Sequence, residues 1–127
     1  MTPEEQCRSL AARFVEVISK GLGVELDYTQ ESVEWADGYV ERLRQTVDAE
    51  TASQLSKFVG AFLGECVIAN FGGAWREGEG TWGVYFDEKN ALFPFAKIQK
   101  QFENGAEDSI LGFYKVIPVV FADSIGR

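Results

Sequence analysis

A single carboxylate lies in the middle of a long apolar stretch of this chain. The segment GAFLGECVIANFGGAW runs from Gly60 to Trp75, and Glu65 is its only charged residue. Helical spacing aligns Glu65 with Ala61 and Lys57, along a stripe that becomes less polar towards its end. We therefore predict that Glu65 lies at the margin of the core. A carboxylate covered there needs a partner, because burying an unpaired charge is costly.

Three interpretations of Glu65 are open. The first is a structural pair with an ammonium group, for which Lys97 or Lys100 on a later helix is the expected partner. The second is an exposed carboxylate. The third is a functional acid in a pocket formed with Trp75 and Lys97, which would make the chain a small-molecule-binding or hydrolytic protein.

The residue types that the chain lacks exclude several kinds of chemistry. There are 0 His, so the commonest general base and the commonest metal ligand are missing, together with every nucleophile system that needs histidine. The 2 cysteines, Cys7 and Cys66, are too few for a structural zinc site. Both fall on apolar helical faces and are predicted to be buried free thiols. We expect no catalytic residue, metal or cofactor; enzymatic activity is left open but is not favoured.

Acidic residues concentrate in the first part of the chain. The net charge is −8, and residues 1–50 hold 11 acidic against 5 basic residues. Such a chain is poorly suited to nucleic acid, which needs positive charge against phosphates. One face of the second predicted helix forms either a solvated surface or a docking surface for a basic partner, such as a toxin or effector. The partner-binding residues predicted on this helix are Glu31, Glu34, Asp37 and Glu41.

Hydrophobic periodicity predicts one α+β domain over residues 1–127. Thr2, Thr29 and Asp48 stand where they can cap three helices. Pro118 is expected to end the last helix, and Arg76–Gly80 to form a turn. The predicted elements are helices over 3–20, 29–46 and 49–71, a small antiparallel sheet over 74–93, and short helices over 94–103 and 107–116.

Glycines on the central helix predict close packing. Gly60 and Gly64 are four residues apart, and each costs roughly 1 kcal/mol in a helix relative to alanine. The close approach of another element would compensate for this cost. Gly72 and Gly73 are expected to turn the chain from helix to sheet, because glycine adopts positive φ readily.

The helix that begins at Pro94 is predicted to be amphipathic. Its expected inward side chains are Phe95, Ile98 and Phe102, and its expected outward side chains are Lys97, Lys100 and Gln101. Asp108 and Ser109 are predicted to cap the helix that follows.

Several of these segments together resemble a bacterial family filed as a domain of unknown function. The shared pattern combines L-D-Y-[ST]-x-x-S, G-x-[FY]-x-G-E, G-G-x-W, P-F-x-K and N-G-x-x-D-S over roughly residues 26–115. The resemblance implies a small α+β domain and brings no established activity or cofactor. Phe93 stands where the family pattern has Asn. The matching positions are Leu26, Asp27, Tyr28, Ser32, Gly60, Gly64, Glu65, Gly72, Gly73, Trp75, Pro94, Phe95, Lys97, Gly105, Asp108 and Ser109.

The patterns together favour a non-catalytic protein-binding domain, of the kind found in immunity or antitoxin proteins. The N-terminus MTPEEQCRSL lacks the features of a secretory signal. No apolar run approaches the roughly 20 residues of a membrane helix. We therefore expect a cytoplasmic protein that contacts no membrane. The sequence does not indicate its oligomeric state.

Overall fold

The computed structural model describes residues 1–78 and 80–125 and has the α+β fold that the sequence predicted. Three long helices come first, then a three-stranded antiparallel sheet of order β1-β2-β3, then two shorter helices joined by a 3₁₀ turn. The elements are α1 Pro3–Leu22, α2 Gln30–Leu43, α3 Ala49–Phe71, β1 Ala74–Gly78, β2 Thr81–Tyr85, β3 Ala91–Leu92, α4 Pro94–Asn104, the 3₁₀ turn Gly105–Asp108 and α5 Ile110–Val120.

The helix starts follow the predicted caps. The hydroxyl of Thr2 accepts the amide of Glu5 at 3.2 Å, and the carboxylate of Asp48 accepts that of Thr51 at 2.8 Å. Each side chain satisfies an amide that has no partner within its own helix. Thr29 does the same for α2. Local sequence therefore determines where these helices begin.

The core is built around α3, which packs mainly against α1 and α4. The sheet contributes one row of side chains to this core: Trp75 is opposite Val84, and Val84 is opposite Leu92. All three are buried. Alternation along the strands places the row on one face of the sheet, and that face covers one side of α3.

The two helical glycines of α3 allow aromatic rings to approach its backbone, as predicted. A Cβ on Gly60 would lie 2.6 Å from the ring of Phe95. One on Gly64 would lie 2.2 Å from the ring of Trp75. The two rings also contact each other, with centroids 5.6 Å apart. At the end of α3, Gly72 and Gly73 have φ of +86° and +93° and turn the chain into β1.

Three predicted boundaries near turns were wrong. The last helix begins at Ile110 and not at residue 107, because the chain first forms the 3₁₀ turn and Ser109 caps the helix. Helix α2 ends at Leu43, not near residue 46, because the amides of Thr46 and Val47 both donate to the Leu43 carbonyl and close the helix. Strand β1 continues to Gly78 through part of the predicted turn. The absence of a side chain at Gly78 leaves room for the hydroxyl of Tyr85 on the neighbouring strand.

Pro118 lies inside α5, where the sequence predicted that it would end the helix. Its ring nitrogen cannot donate a helical hydrogen bond, at a cost of about 3 kcal/mol in a helix interior. The helix nevertheless continues, and the amide of Phe121 donates to the Ile117 carbonyl at 2.9 Å. Tyr114 and Ile117, before the proline, are buried and hold α5 against the core. Phe121, after it, packs against Phe86, with ring centroids 5.0 Å apart. These contacts on both sides of Pro118 outweigh the local preference.

Within residues 1–78 and 80–125, none of the helices combines the length and the hydropathy that a membrane span requires.

Candidate functional site

Glu65 lies at the margin of the core, as predicted, but its partner is a different residue from those expected. It is half-buried, and its carboxylate accepts a hydrogen bond from the indole Nε1 of Trp75 at 2.7 Å. No ion pair with Lys97 or Lys100 forms within the part of the chain that the structure describes. The turn at Gly72 and Gly73 places Trp75 over α3, where its indole N–H donates to the carboxylate.

A cleft of about 200 Å³ opens beside this hydrogen bond. Its charged side chains are Glu65 from α3 and Glu4 and Arg8 from α1. The structure thus joins Glu65 to Trp75 but not to Lys97, which lines a separate groove with Phe113. The three residues predicted to share one pocket are divided between two surfaces of the molecule.

Both cysteines are free and buried, as predicted. Burial raises the pKa of the Cys7 thiol to about 11, and the negative charges of Glu65 and Glu4 act in the same direction. Burial, with the charges of Asp27 and Glu65, also raises the pKa of Cys66. Because the thiolate is the reactive form, these shifts make both cysteines poor nucleophiles.

Cys7 is expected to resist alkylation in the folded protein. A thiol with a pKa of about 11 holds roughly a hundredfold less thiolate near pH 8 than one with the ordinary value of 9.0. Iodoacetamide labelling followed by mass spectrometry measures this rate. A Ser9→Cys variant, exposed on the same helix, is the positive control. Equal labelling of Cys7 and of this introduced cysteine would contradict the expectation.

The four acidic residues predicted as a partner-binding face have two different environments. Glu31 and Glu34 are exposed. Asp37 and Glu41 are partly buried, and both accept hydrogen bonds at 3.1 Å from the side-chain amide of Gln101 on α4. On the predicted face, Glu31 and Glu34 are therefore free, whereas Asp37 and Glu41 take part in tertiary contacts.

Gln101 is the centre of this polar network and is fully buried, although it was predicted to face outwards. Its amide nitrogen donates to Asp37 and Glu41, and its amide oxygen accepts the backbone N–H of Ile110 at 2.9 Å. Asp37 also accepts the hydroxyl of Ser109 at 2.6 Å. The contacts of Gln101 and the Asp37–Ser109 hydrogen bond, together the Gln101 network, join α2, α4 and the start of α5.

The sequence did contain a signal for the burial of Gln101. It lies seven residues after Pro94 and three after Ile98, which is the spacing of one buried helical face. The glutamine side chain suggested the solvent side instead. Ser109 also caps α5 by accepting the amide of Gly112 at 3.2 Å, as predicted. The hydrogen bond from Ser109 to Asp37 joins positions 72 residues apart, so no local sequence pattern predicts it.

A cleft of about 380 Å³ lies between the α2–α3 turn and α4, and Arg44 in its lining has a structural role. Arg44 donates to the carbonyls of Gln101 and Phe102 at 3.2 Å and of Glu103 at 3.0 Å. The Gln101 carbonyl also accepts the amide of Gly105, and the guanidinium complements the helix dipole at the C-terminus of α4.

Comparisons with known proteins identified no relative of this chain. Neither the protein-family models, nor the curated proteins, nor the solved structures contain a match to this chain. The resemblance to a bacterial family of unknown function stays a prediction. The functional argument rests on the geometry of the described residues.

Proposed function

We propose that this chain is a non-catalytic protein-binding domain of the cytoplasm that covers a basic partner, in the manner of an immunity or antitoxin protein. The observation that carries the proposal is the distribution of exposed carboxylates. Glu31 and Glu34 point to solvent from α2, and Glu107 is exposed in the 3₁₀ turn. The hydrogen bond from Ser109 to Asp37 brings that turn alongside α2.

The acidic surface is defined as Glu31, Glu34 and Glu107, whose side chains are exposed. None of these side chains forms an ion pair within residues 1–78 and 80–125. The potential of such a surface accelerates the encounter with a positively charged protein and disfavours acidic competitors. Salt weakens this attraction, since exposed charges are screened over roughly 10 Å at 0.1 M ionic strength.

The Gln101 network supports the proposal in a second way. It attaches the end of α2 to α4 and α5 through the hydrogen bonds of the fully buried Gln101. A surface on rigid elements loses less conformational entropy when a partner binds than a mobile one does. The carboxylates of the acidic surface are therefore preorganised for binding.

Reversing the charge of two exposed carboxylates should weaken the proposed binding and leave the fold intact. In Glu31→Lys/Glu34→Lys both changed side chains are solvent-exposed. We expect the affinity for the partner to fall by about tenfold or more at low salt. The partner is captured from a lysate of the native cells, identified by mass spectrometry and then measured by calorimetry at two salt concentrations. Asp37 and Glu41 are left unchanged because their reversal would break the Gln101 network.

The matched control changes the net charge equally on other parts of the surface. Glu88→Lys/Asp123→Lys alters two exposed carboxylates, in the β2–β3 turn and in the segment after α5. The proposal requires a partner with a basic contact surface that the control retains and Glu31→Lys/Glu34→Lys loses. Retention by both variants contradicts it, as does the failure of the wild-type chain to capture any protein.

A further inference from the structure

A groove of about 250 Å³ between β3, α4 and α5 combines an apolar lining with two lysines. The lysines, Lys97 and Lys100, come from α4, one turn apart. We call this site the lysine groove. Its apolar lining is formed by Ala91, Leu92, Phe93, Ala96, Phe113 and Phe121.

Lys97 is the unusual member of this groove. It is half-buried, and its ammonium lies 4.7 Å from the centroid of the Phe113 ring. Within the described part of the chain no carboxylate reaches it to form an ion pair. Its expected partner Glu65 is bound to Trp75 instead. A cation–π contact stabilises an ammonium group less than a charge-assisted hydrogen bond to a carboxylate does. The ammonium of Lys97 can therefore still bind an anion.

The neighbouring acidic residues do not neutralise the groove. The lining contains none. Asp87, in the turn before β3, accepts the backbone amides of Lys89 and Asn90 at 2.9 Å, and the hydroxyl of Ser124. Glu103 follows Lys100 by one turn without forming an ion pair in the described residues. The groove is therefore a locally positive, apolar site on a chain whose net charge is −8.

We propose that the lysine groove binds a small apolar carboxylate, such as an aryl-alkyl or medium-chain carboxylic acid. The body of the ligand packs against Phe93, Phe113 and Phe121, and its carboxylate accepts hydrogen bonds from the ammonium of Lys97. Lys100 adds a second positive charge at the rim. The groove has a volume of about 250 Å³. One aromatic ring or one short alkyl chain fits this space. The groove lies apart from the acidic surface, so this proposal does not depend on the proposed function.

The test is a titration of the full chain with two ligands of equal length, octanoate and 1-octanol, followed by ¹⁵N NMR. We expect octanoate to shift the amides of residues 91–97 and those of Phe113 and Phe121. Its affinity should be about tenfold higher than that of octanol, since only octanoate forms a charge-assisted hydrogen bond. 3-Phenylpropionate should shift the same amides. Equal affinities for octanoate and octanol, or shifts spread over the whole surface, would overturn the proposal.

Three variants locate the interaction. Lys97→Gln should weaken octanoate binding about tenfold while leaving octanol unchanged. Lys115→Gln is the matched control, because Lys115 is exposed on α5 and does not line the groove. Ala96→Trp places a ring into the groove from an exposed position, so it should block both ligands. Octanoate binding that survives both Lys97→Gln and Ala96→Trp would place the ligand elsewhere and refute the assignment.

Discussion

Replacing Gln101 with leucine is expected to lower the free energy of unfolding by about 3 kcal/mol. The side chain is fully buried and makes four hydrogen bonds, two of them to carboxylates. Leucine would leave the N–H of Ile110 without its acceptor and would remove one donor each from Asp37 and Glu41. Losing one partner of a buried polar network costs more than the net value of its bonds, because the remaining groups stay desolvated. Urea denaturation followed by circular dichroism measures the change.

Gln99→Leu is the matched control for this prediction. Gln99 is on the same helix, but it is exposed. The same chemical change there should alter stability by no more than about 0.5 kcal/mol. If the two variants unfold at the same urea concentration, the Gln101 network does not stabilise the fold. The rigidity argument for the acidic surface would then fail as well.

Replacing Gly64 with alanine is expected to destabilise the protein by about 2 kcal/mol. The added methyl would lie 2.2 Å from the ring of Trp75, so the ring must move. Trp75 is held by its bond to Glu65 at one edge and by contact with Phe95, and any movement disturbs both. The gain of about 1 kcal/mol from helix propensity offsets only part of this cost. Thermal unfolding and the near-ultraviolet circular dichroism of the tryptophans measure stability and ring position.

Gly21→Ala separates the packing effect from helix propensity. Gly21 lies near the end of α1, and a Cβ there would meet nothing within 4 Å. This variant should therefore gain about 0.5–1 kcal/mol. If Gly64→Ala is stabilised to the same degree, the Trp75 ring does not approach the backbone of α3 as closely as the structure indicates.

Features that depend on short-range contacts were predictable from the sequence. The caps by Thr2 and Asp48 and the helix-to-sheet turn at Gly72 and Gly73 each involve residues close together in the chain. The glycines at 60 and 64 correctly indicated that bulky groups approach α3. The sequence did not identify those groups as Phe95 and Trp75. Helical spacing shows which face of α3 is buried, but it does not show which element packs against that face.

Features of the candidate sites were harder to predict where polar side chains have distant partners. Gln101 was expected in solvent and is fully buried, since two carboxylates and a backbone amide satisfy it. Asp37 was grouped with Glu34 because both follow the same helical face. Only the position of α4 and α5 separates the engaged carboxylate from the free one.

The sequence by itself determined the α+β class, the order of the elements and most of their boundaries, because periodicity, capping and glycine conformation act over a few residues. Tertiary structure alone decided the partner of each critical polar group. The bond between Trp75 and Glu65 spans 10 residues, and that between Gln101 and Asp37 spans 64. In the same fold Lys97 lines an apolar groove and Glu34 is exposed to solvent. The partner of each polar group depends on which side chains lie within hydrogen-bond distance after the helices have packed. No local sequence pattern encodes that geometry.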